Sequence, residues 1–287
     1  MTYLLIVPVI VCVFLQQVAD KLLVLKTEQP NSLRSRYLFC NAVASVLSVL
    51  LYGVLTGAYR TAIHWPTVGF GVVFGLSYCF AILLAAYLVQ TGSFAFSSLI
   101  ISFGPLIPTL FGLIVLSEPL KAHVLLGVLL LIVSLLCINL KKTERIRPLW
   151  MVLSIVAFVL NGLCSTLQTY HQTLYHSGGV LFMTTGTLVS LVVTGIYFAM
   201  TRQKTSRADT IVCMQCGAMR GVINIAVNFL VIYLVGVLPS SVLFPSVSAG
   251  GVVFSFLASW LIFKETMTRN QKIGFVIGLV SVVLLNL

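Results

Sequence analysis

The chain has 287 residues, of which 59% are apolar and 8% charged, with a mean hydropathy of +1.10 and a formal net charge of +11. Soluble domains are nearer half apolar and a quarter charged, so this composition excludes a single water-soluble core and makes the bilayer the solvent. The Lys and Arg excess falls in the gaps between apolar runs, as membrane topology asks, and nucleic acid is not an expected partner.

A helix crossing about 30 Å of hydrocarbon needs about 20 apolar residues. Ten runs approach or exceed that length: 2–24, 35–57, 66–90, 93–117, 121–140, 149–174, 179–200, 210–235, 239–263 and 269–287. Helices are expected, because lipid offers unpaired backbone groups no partner and the alternation of barrel strands is absent. The first run opens Met1-Thr2-Tyr3 without a basic n-region and outlasts an ordinary signal peptide, so it reads as a retained helix. Connections are short and many carry Gly, Pro or Asn, as in Gln29-Pro30-Asn31, Ser177-Gly178-Gly179 and Leu238-Pro239. The seven cysteines fall almost wholly inside apolar runs, which fits packing residues better than a disulfide framework. Cys213-x-x-Cys216 has the spacing of half a zinc site, but no second pair completes it, so neither metal nor cofactor is expected.

Thirteen basic residues sit at the loops between helices 1–2, 5–6, 7–8 and 9–10, while loops of the other parity hold only Arg60 and Lys121. That asymmetry predicts a multi-pass plasma-membrane protein with both termini outside.

The sequence also matches itself. Glu118-x8-Gly127-x6-Ser134-x4-Asn139-Leu140 returns 147 residues later as Glu265-x8-Gly274-x6-Ser281-x4-Asn286-Leu287. At an offset of 146, Gly75 pairs with Gly221 and Tyr87-Leu88-Val89 with Tyr233-Leu234-Val235. Together these indicate a duplication, with halves 1–147 and 148–287. Five helices per half is an odd number, so the second copy enters the membrane inverted. The predicted fold is all-α integral membrane, ten helices as two inverted five-helix repeats, an arrangement found in secondary transporters.

At this point the residues resemble a known family. Ten helices in a five-plus-five arrangement, the Leu116-Ser117-Glu118-Pro119-Leu120 turn opening a Gly-bearing helix that ends Asn-Leu, its partial echo Phe263-Lys264-Glu265-Thr266-Met267, Pro105 in the fourth helix, and Pro30 ahead of Arg34 and Arg36 are similar to the drug/metabolite transporter superfamily, its EamA-like branch above all. The resemblance spans essentially the whole chain and implies an exporter or importer of metabolites such as amino acids, sugars, amines, nucleotide precursors or drugs. The family's ten-helix members usually keep both termini in the cytoplasm, opposite to the orientation the charges predict here.

Ionisable groups inside the bilayer are costly and are functional candidates by default. Arg220 lies ten residues into helix 8, about 15 Å along its axis, where it serves either as a fork for an anionic substrate group or as partner of an internal carboxylate. Asp20, the deepest carboxylate, is a candidate proton relay, a partner for Arg220, or an interfacial group beside a snorkelling Lys21. Glu118 and Glu265 are expected to cap helices 5 and 10. Asn224 and Asn228 extend a polar stripe from Arg220, and at offset 146 Tyr78 is the equivalent of Asn224 as Phe74 is of Arg220. Asn161 and Gln168 in helix 6 and Ser248 in helix 9 are further cavity candidates, with helix–helix hydrogen bonding as the alternative. Pro105, Pro108, Pro245 and Gly250 are expected to break helices or admit close backbone approach.

The resulting expectation is a secondary carrier, working by alternating access on a small anionic or zwitterionic metabolite, with a cavity lined by helices 1, 3, 6, 8 and 9. A monomer suffices for this, and its partners are the metabolite and the lipid bilayer. A flippase of a lipid-linked phosphate or sugar is the alternative, and a scaffold a remoter one. The absence of HExxH, G-x-S-x-G or a His–carboxylate cluster argues against an embedded enzyme.

Overall fold

The computed structural model describes residues 2–27, 30–60, 62–91, 103–119, 121–139, 148–201, 205–261 and 268–285. Among these there is no strand. The described residues form ten α-helices: α1 (Ile6–Lys26), α2 (Pro30–Thr56), α3 (Trp65–Thr91), α4 (Leu106–Ile114), α5 (Ala122–Asn139), α6 (Pro148–Tyr175), α7 (Gly179–Met200), α8 (Arg207–Val235), α9 (Ser240–Leu261) and α10 (Arg269–Leu285). Two short 3-10 segments, Thr2–Leu5 and Ala58–Arg60, precede α1 and follow α2.

Among the described residues six helices, α1, α2, α3, α6, α7 and α8, are long and apolar enough to cross a membrane. Shorter apolar stretches occupy Ala122–Cys137 in α5 and Ser240–Phe254 in α9. The described part of α4 has nine residues and α10 has 17. Large apolar side chains stand open on these helices, Leu55 at 77% and Met200 at 81% exposure among them. Such a surface requires lipid rather than water around it. The chain is therefore an all-helical, membrane-embedded protein.

The chain divides into two compact units, and neither is a continuous half of the sequence. The first comprises Met1–Val11, Phe80–Tyr170 and Leu234–Leu287; the second comprises Cys12–Cys79 and His171–Tyr233.

In the first unit, α5 and α10 pack through small residues. Ser134 Oγ donates to the Gly274 carbonyl at 2.6 Å, and Ser281 Oγ donates to the Gly127 carbonyl at 2.8 Å. The two contacts are reciprocal, each serine meeting the other helix's glycine. Around them Val124, Leu131, Leu135, Val242, Ala249 and Leu285 form an apolar core. The Glu118 carboxylate accepts the backbone N–H groups of Ser240 and Ser241 at 2.7 and 2.8 Å. It thus caps α9, not the helix it precedes, which corrects the expectation for helix 5. The turn that brings it there passes through Ser117 at φ 52, with the Glu118 N–H on the Gly112 carbonyl at 3.1 Å.

The expected breaking residues of this unit are placed as follows. α4 begins directly after Pro105, and Pro108 lies in its first turn, where a missing N–H leaves no helical bond unmade. Pro245 lies inside α9, which continues past it to Leu261. Gly250, in the same helix, faces Ile10 so closely that a Cβ there would overlap its side chain.

In the second unit, four glycines set the packing. Gly71 and Gly75 of α3 lie against the backbone carbonyls of Phe182 and Gly186 in α7. Gly217 and Gly221 of α8 lie in the same way against Tyr37 and Asn41 of α2. The glycines of the two interfaces are 146 residues apart, and the carbonyls they meet are 145 apart. Small residues at i and i+4 let helix backbones approach closely, the usual way that helices associate in lipid. Stacked Phe39 and Phe198 at 5.4 Å and tilted Tyr52 and Phe229 at 4.4 Å fill the flanks.

Candidate functional site

The close α2–α8 and α3–α7 contacts leave a narrow polar cleft inside the second unit. Asn41 and Ser45 of α2, Tyr78 of α3, Thr187 and Ser190 of α7 and Asn224 of α8 supply its polar lining; Phe74 and Met183 supply an apolar wall. Ser45 also donates to the Gly221 carbonyl at 3.2 Å, and Phe74 stacks on Tyr78 at 6.1 Å.

One helical turn from Asn224, Arg220 forms an ion pair with Asp20 of α1. The second carboxylate oxygen of Asp20 accepts the Tyr37 hydroxyl of α2 at 2.5 Å. Arg220 stands near the middle of the 29-residue α8. Asp20 lies six residues, about 9 Å, before the end of α1. Tyr78 is close enough to Arg220 to interact with its charge. Among the described residues, Arg220 Nε and Asn41 Oδ1 are buried atoms without a hydrogen-bond partner. A polar chain runs on from the pair: Gln16 Nε2 donates to Asn224 Oδ1 at 3.3 Å, and Asn228 Nδ2 donates to the Asn224 carbonyl at 2.7 Å. Charged groups at this depth persist only when paired and hydrogen-bonded, and here Asp20 has both partners while Arg220 keeps one N–H in reserve.

Of the expected site residues, the fold brings together Asp20, Arg220, Asn224 and Asn228, and puts Tyr78 in the cleft wall. Lys21 is half-buried beside Asp20. Asn161, Gln168 and Ser248 lie in the first unit and are not part of the cleft's lining. Asn161 is exposed, Gln168 is buried at 4% exposure, and Ser248 is half-buried. The cleft is lined by α2, α3, α7 and α8, so it involves two of the helices, 3 and 8, expected around a cavity. Sequence reasoning missed Gln16, Tyr37, Asn41, Ser45, Thr187 and Ser190. A signal for some existed: Gln16 and Asp20 are one turn apart, as are Asn41 and Ser45, and Ser45 and Ser190 keep the 145-residue spacing of the helices they sit on.

Cys213 and Cys216 are buried thiols, and Cys213 Sγ contacts the Leu33 carbonyl at 3.6 Å. Among the described residues no group of His, Cys, Asp and Glu is arranged to hold a metal ion.

No family model matches the sequence, and no curated protein does. Among solved structures 28 chains are similar. One crystal structure superposes with a TM-score of 0.76 over 99% of this chain and 95% of its own, at 13% identity. At that identity the likeness establishes a shared fold across the whole chain and nothing about activity.

Proposed function

We propose that this protein is a secondary membrane carrier of a small polar metabolite, built as two inverted five-helix repeats and belonging with the EamA-like transporters. The observation that carries the reading is the Asp20–Arg220 pair beside a polar cleft, within helices otherwise solvated by lipid. A bundle with only a structural role has no use for a charge pair at that depth, whereas a carrier needs polar groups where its cargo passes.

The repeat reading draws support from contacts that obey the sequence offset. Ser134 and Ser281 exchange places across α5 and α10, and the glycine pairs of α3 and α8 meet matching carbonyls of α7 and α2. Reciprocal contacts are what a two-fold relation between duplicated halves produces. Each compact unit draws helices from both 1–147 and 148–287.

The test is uptake into proteoliposomes from a mixed metabolite pool, comparing the wild type with Arg220→Ala. Loss of specific compounds from the variant's lumen is the expected result, and equal loading by both removes Arg220 from the site. Lipid-headgroup translocation measured in the same vesicles decides against a carrier if it is the only movement seen. A fluorescent reporter fused at Leu287 tests the outside orientation of the termini, which strong cytoplasmic fluorescence overturns.

A further inference from the structure

The charge arrangement narrows the cargo, given the carrier reading of the site. Asp20 and Arg220 pair with each other, Arg34 lies close enough to Asp20 to feel its charge, and the cleft one turn from Arg220 is lined by uncharged groups. A singly charged ligand that opens this pair engages one partner and takes from the other its ion-pair partner, which costs most for Arg220, the more buried of the two at 20% exposure against 44% for Asp20. A monoanion on Arg220 orphans Asp20, and a monocation on Asp20 orphans Arg220. A ligand carrying both charges replaces one ion pair by two and leaves no group unmatched.

The unused hydrogen-bonding atoms point the same way. Arg220 keeps a buried Nε–H without an acceptor, and Asn41, only 3% exposed and lining the cleft, keeps Oδ1 without a donor among the described residues. The first offers a donor along the guanidinium edge that grips a carboxylate in a fork; the second offers an acceptor to an ammonium N–H. Phe74 and Met183 provide an apolar wall for the remainder of the molecule. We infer that the Asp20–Arg220 pair opens to bind a small zwitterion, with its carboxylate on Arg220 and its ammonium on Asp20, and that the site selects against ligands carrying only one of those charges. Tyr37, which donates to Asp20 at 2.5 Å, then holds the carboxylate in position when Arg220 turns to the ligand.

The decisive measurement is ligand-dependent thermal unfolding of the purified full chain in detergent, with three matched pools: the neutral amino acids, their amides (cations) and their N-acetyl derivatives (anions). The zwitterion pool is expected to protect at concentrations about tenfold or more below either single-charge pool, because each of the latter leaves a polar group unpaired. Equal protection by a single-charge pool, or no protection by the zwitterions, overturns the inference. Two variants add a gain of specificity that misfolding does not mimic. Asp20→Asn leaves a lone cation and is expected to shift preference to the N-acetyl pool; Arg220→Gln leaves a lone carboxylate and is expected to shift it to the amides. Unchanged preference in a folded variant overturns the inference, and the wild-type comparison decides if neither variant folds. Uptake of the same pools into proteoliposomes separates this inference from the one beneath it. Zwitterions that bind but never cross refute the carrier and keep the site; singly charged compounds that cross while zwitterions do not refute the site and keep the carrier.

Discussion

Replacing Gly221 by Ala adds one methyl group where α8 meets α2. The new carbon would overlap the Asn41 carbonyl oxygen and approach Ala44 Cβ to 2.7 Å and the Ser45 nitrogen to 3.1 Å. Relaxed carbon contacts need about 3.5–4.0 Å, so the two helices must part by most of an ångström. The atoms in the way are mainly backbone, which cannot rotate aside, so the upper part of the usual overpacking cost of about 1–3 kcal/mol applies. Alanine recovers about 1 kcal/mol from the better helix propensity, leaving a net loss of about 1–2 kcal/mol. Gly75→Ala in α3 is expected to behave alike, since its methyl would meet the Gly186 carbonyl and stand 2.9 Å from Val189 Cβ. Gly69 in the same helix is the control: nothing lies within 4 Å of its added Cβ, so Gly69→Ala is expected to be neutral or stabilising by up to about 1 kcal/mol. Denaturant unfolding in detergent micelles reads all three. Gly221→Ala as stable as Gly69→Ala would refute the close-approach account of how the cleft is built.

Asp20→Asn and Arg220→Gln are each expected to destabilise by about 1–3 kcal/mol, below the figure for a fully buried pair because the Asp20 side chain is 44% exposed. The double variant should cost less than their sum in the same unfolding assay, and strict additivity would mean that the two charges are not coupled. Glu118→Ala removes the acceptor of two amides at the start of α9 and is expected to cost about 0.5–2 kcal/mol. Hydrogen exchange at Ser240 and Ser241 should rise with it, and unaltered exchange there would count against the cap. Ser134→Ala and Ser281→Ala each delete one interhelical hydrogen bond worth about 0.6 kcal/mol in membranes, so near-equal losses are expected. A loss confined to one of them would break the reciprocity of the α5–α10 contact.

Element type and order were legible because an unbroken apolar run has only one way to satisfy its backbone in lipid. Among the described residues each of the ten apolar runs holds a helix, and six of these are long and apolar enough to cross a membrane. At the site, Arg220, Asp20, Asn224 and Asn228 could be picked out because each is expensive where it stands, or lies one turn from a residue that is. Tyr37, Asn41 and Ser45 could not, since one Tyr, Asn or Ser on a membrane helix reads equally well as packing.

Burial of charge is costly whatever the fold, so the amino-acid string alone says that Asp20 and Arg220 need partners. It does not say that they are each other's, because that depends on which faces of α1, α2 and α8 turn toward one another. A polar stripe such as Arg220–Asn224–Asn228 does not name its partner helix, and the close approach of backbones does. Gly217 and Gly221 on α8, and Gly71 and Gly75 on α3, make that choice. Once they seat against carbonyls of α2 and α7, the neighbouring turns carry Arg220 onto Asp20 and place Asn41, Tyr78 and Asn224 around one cleft.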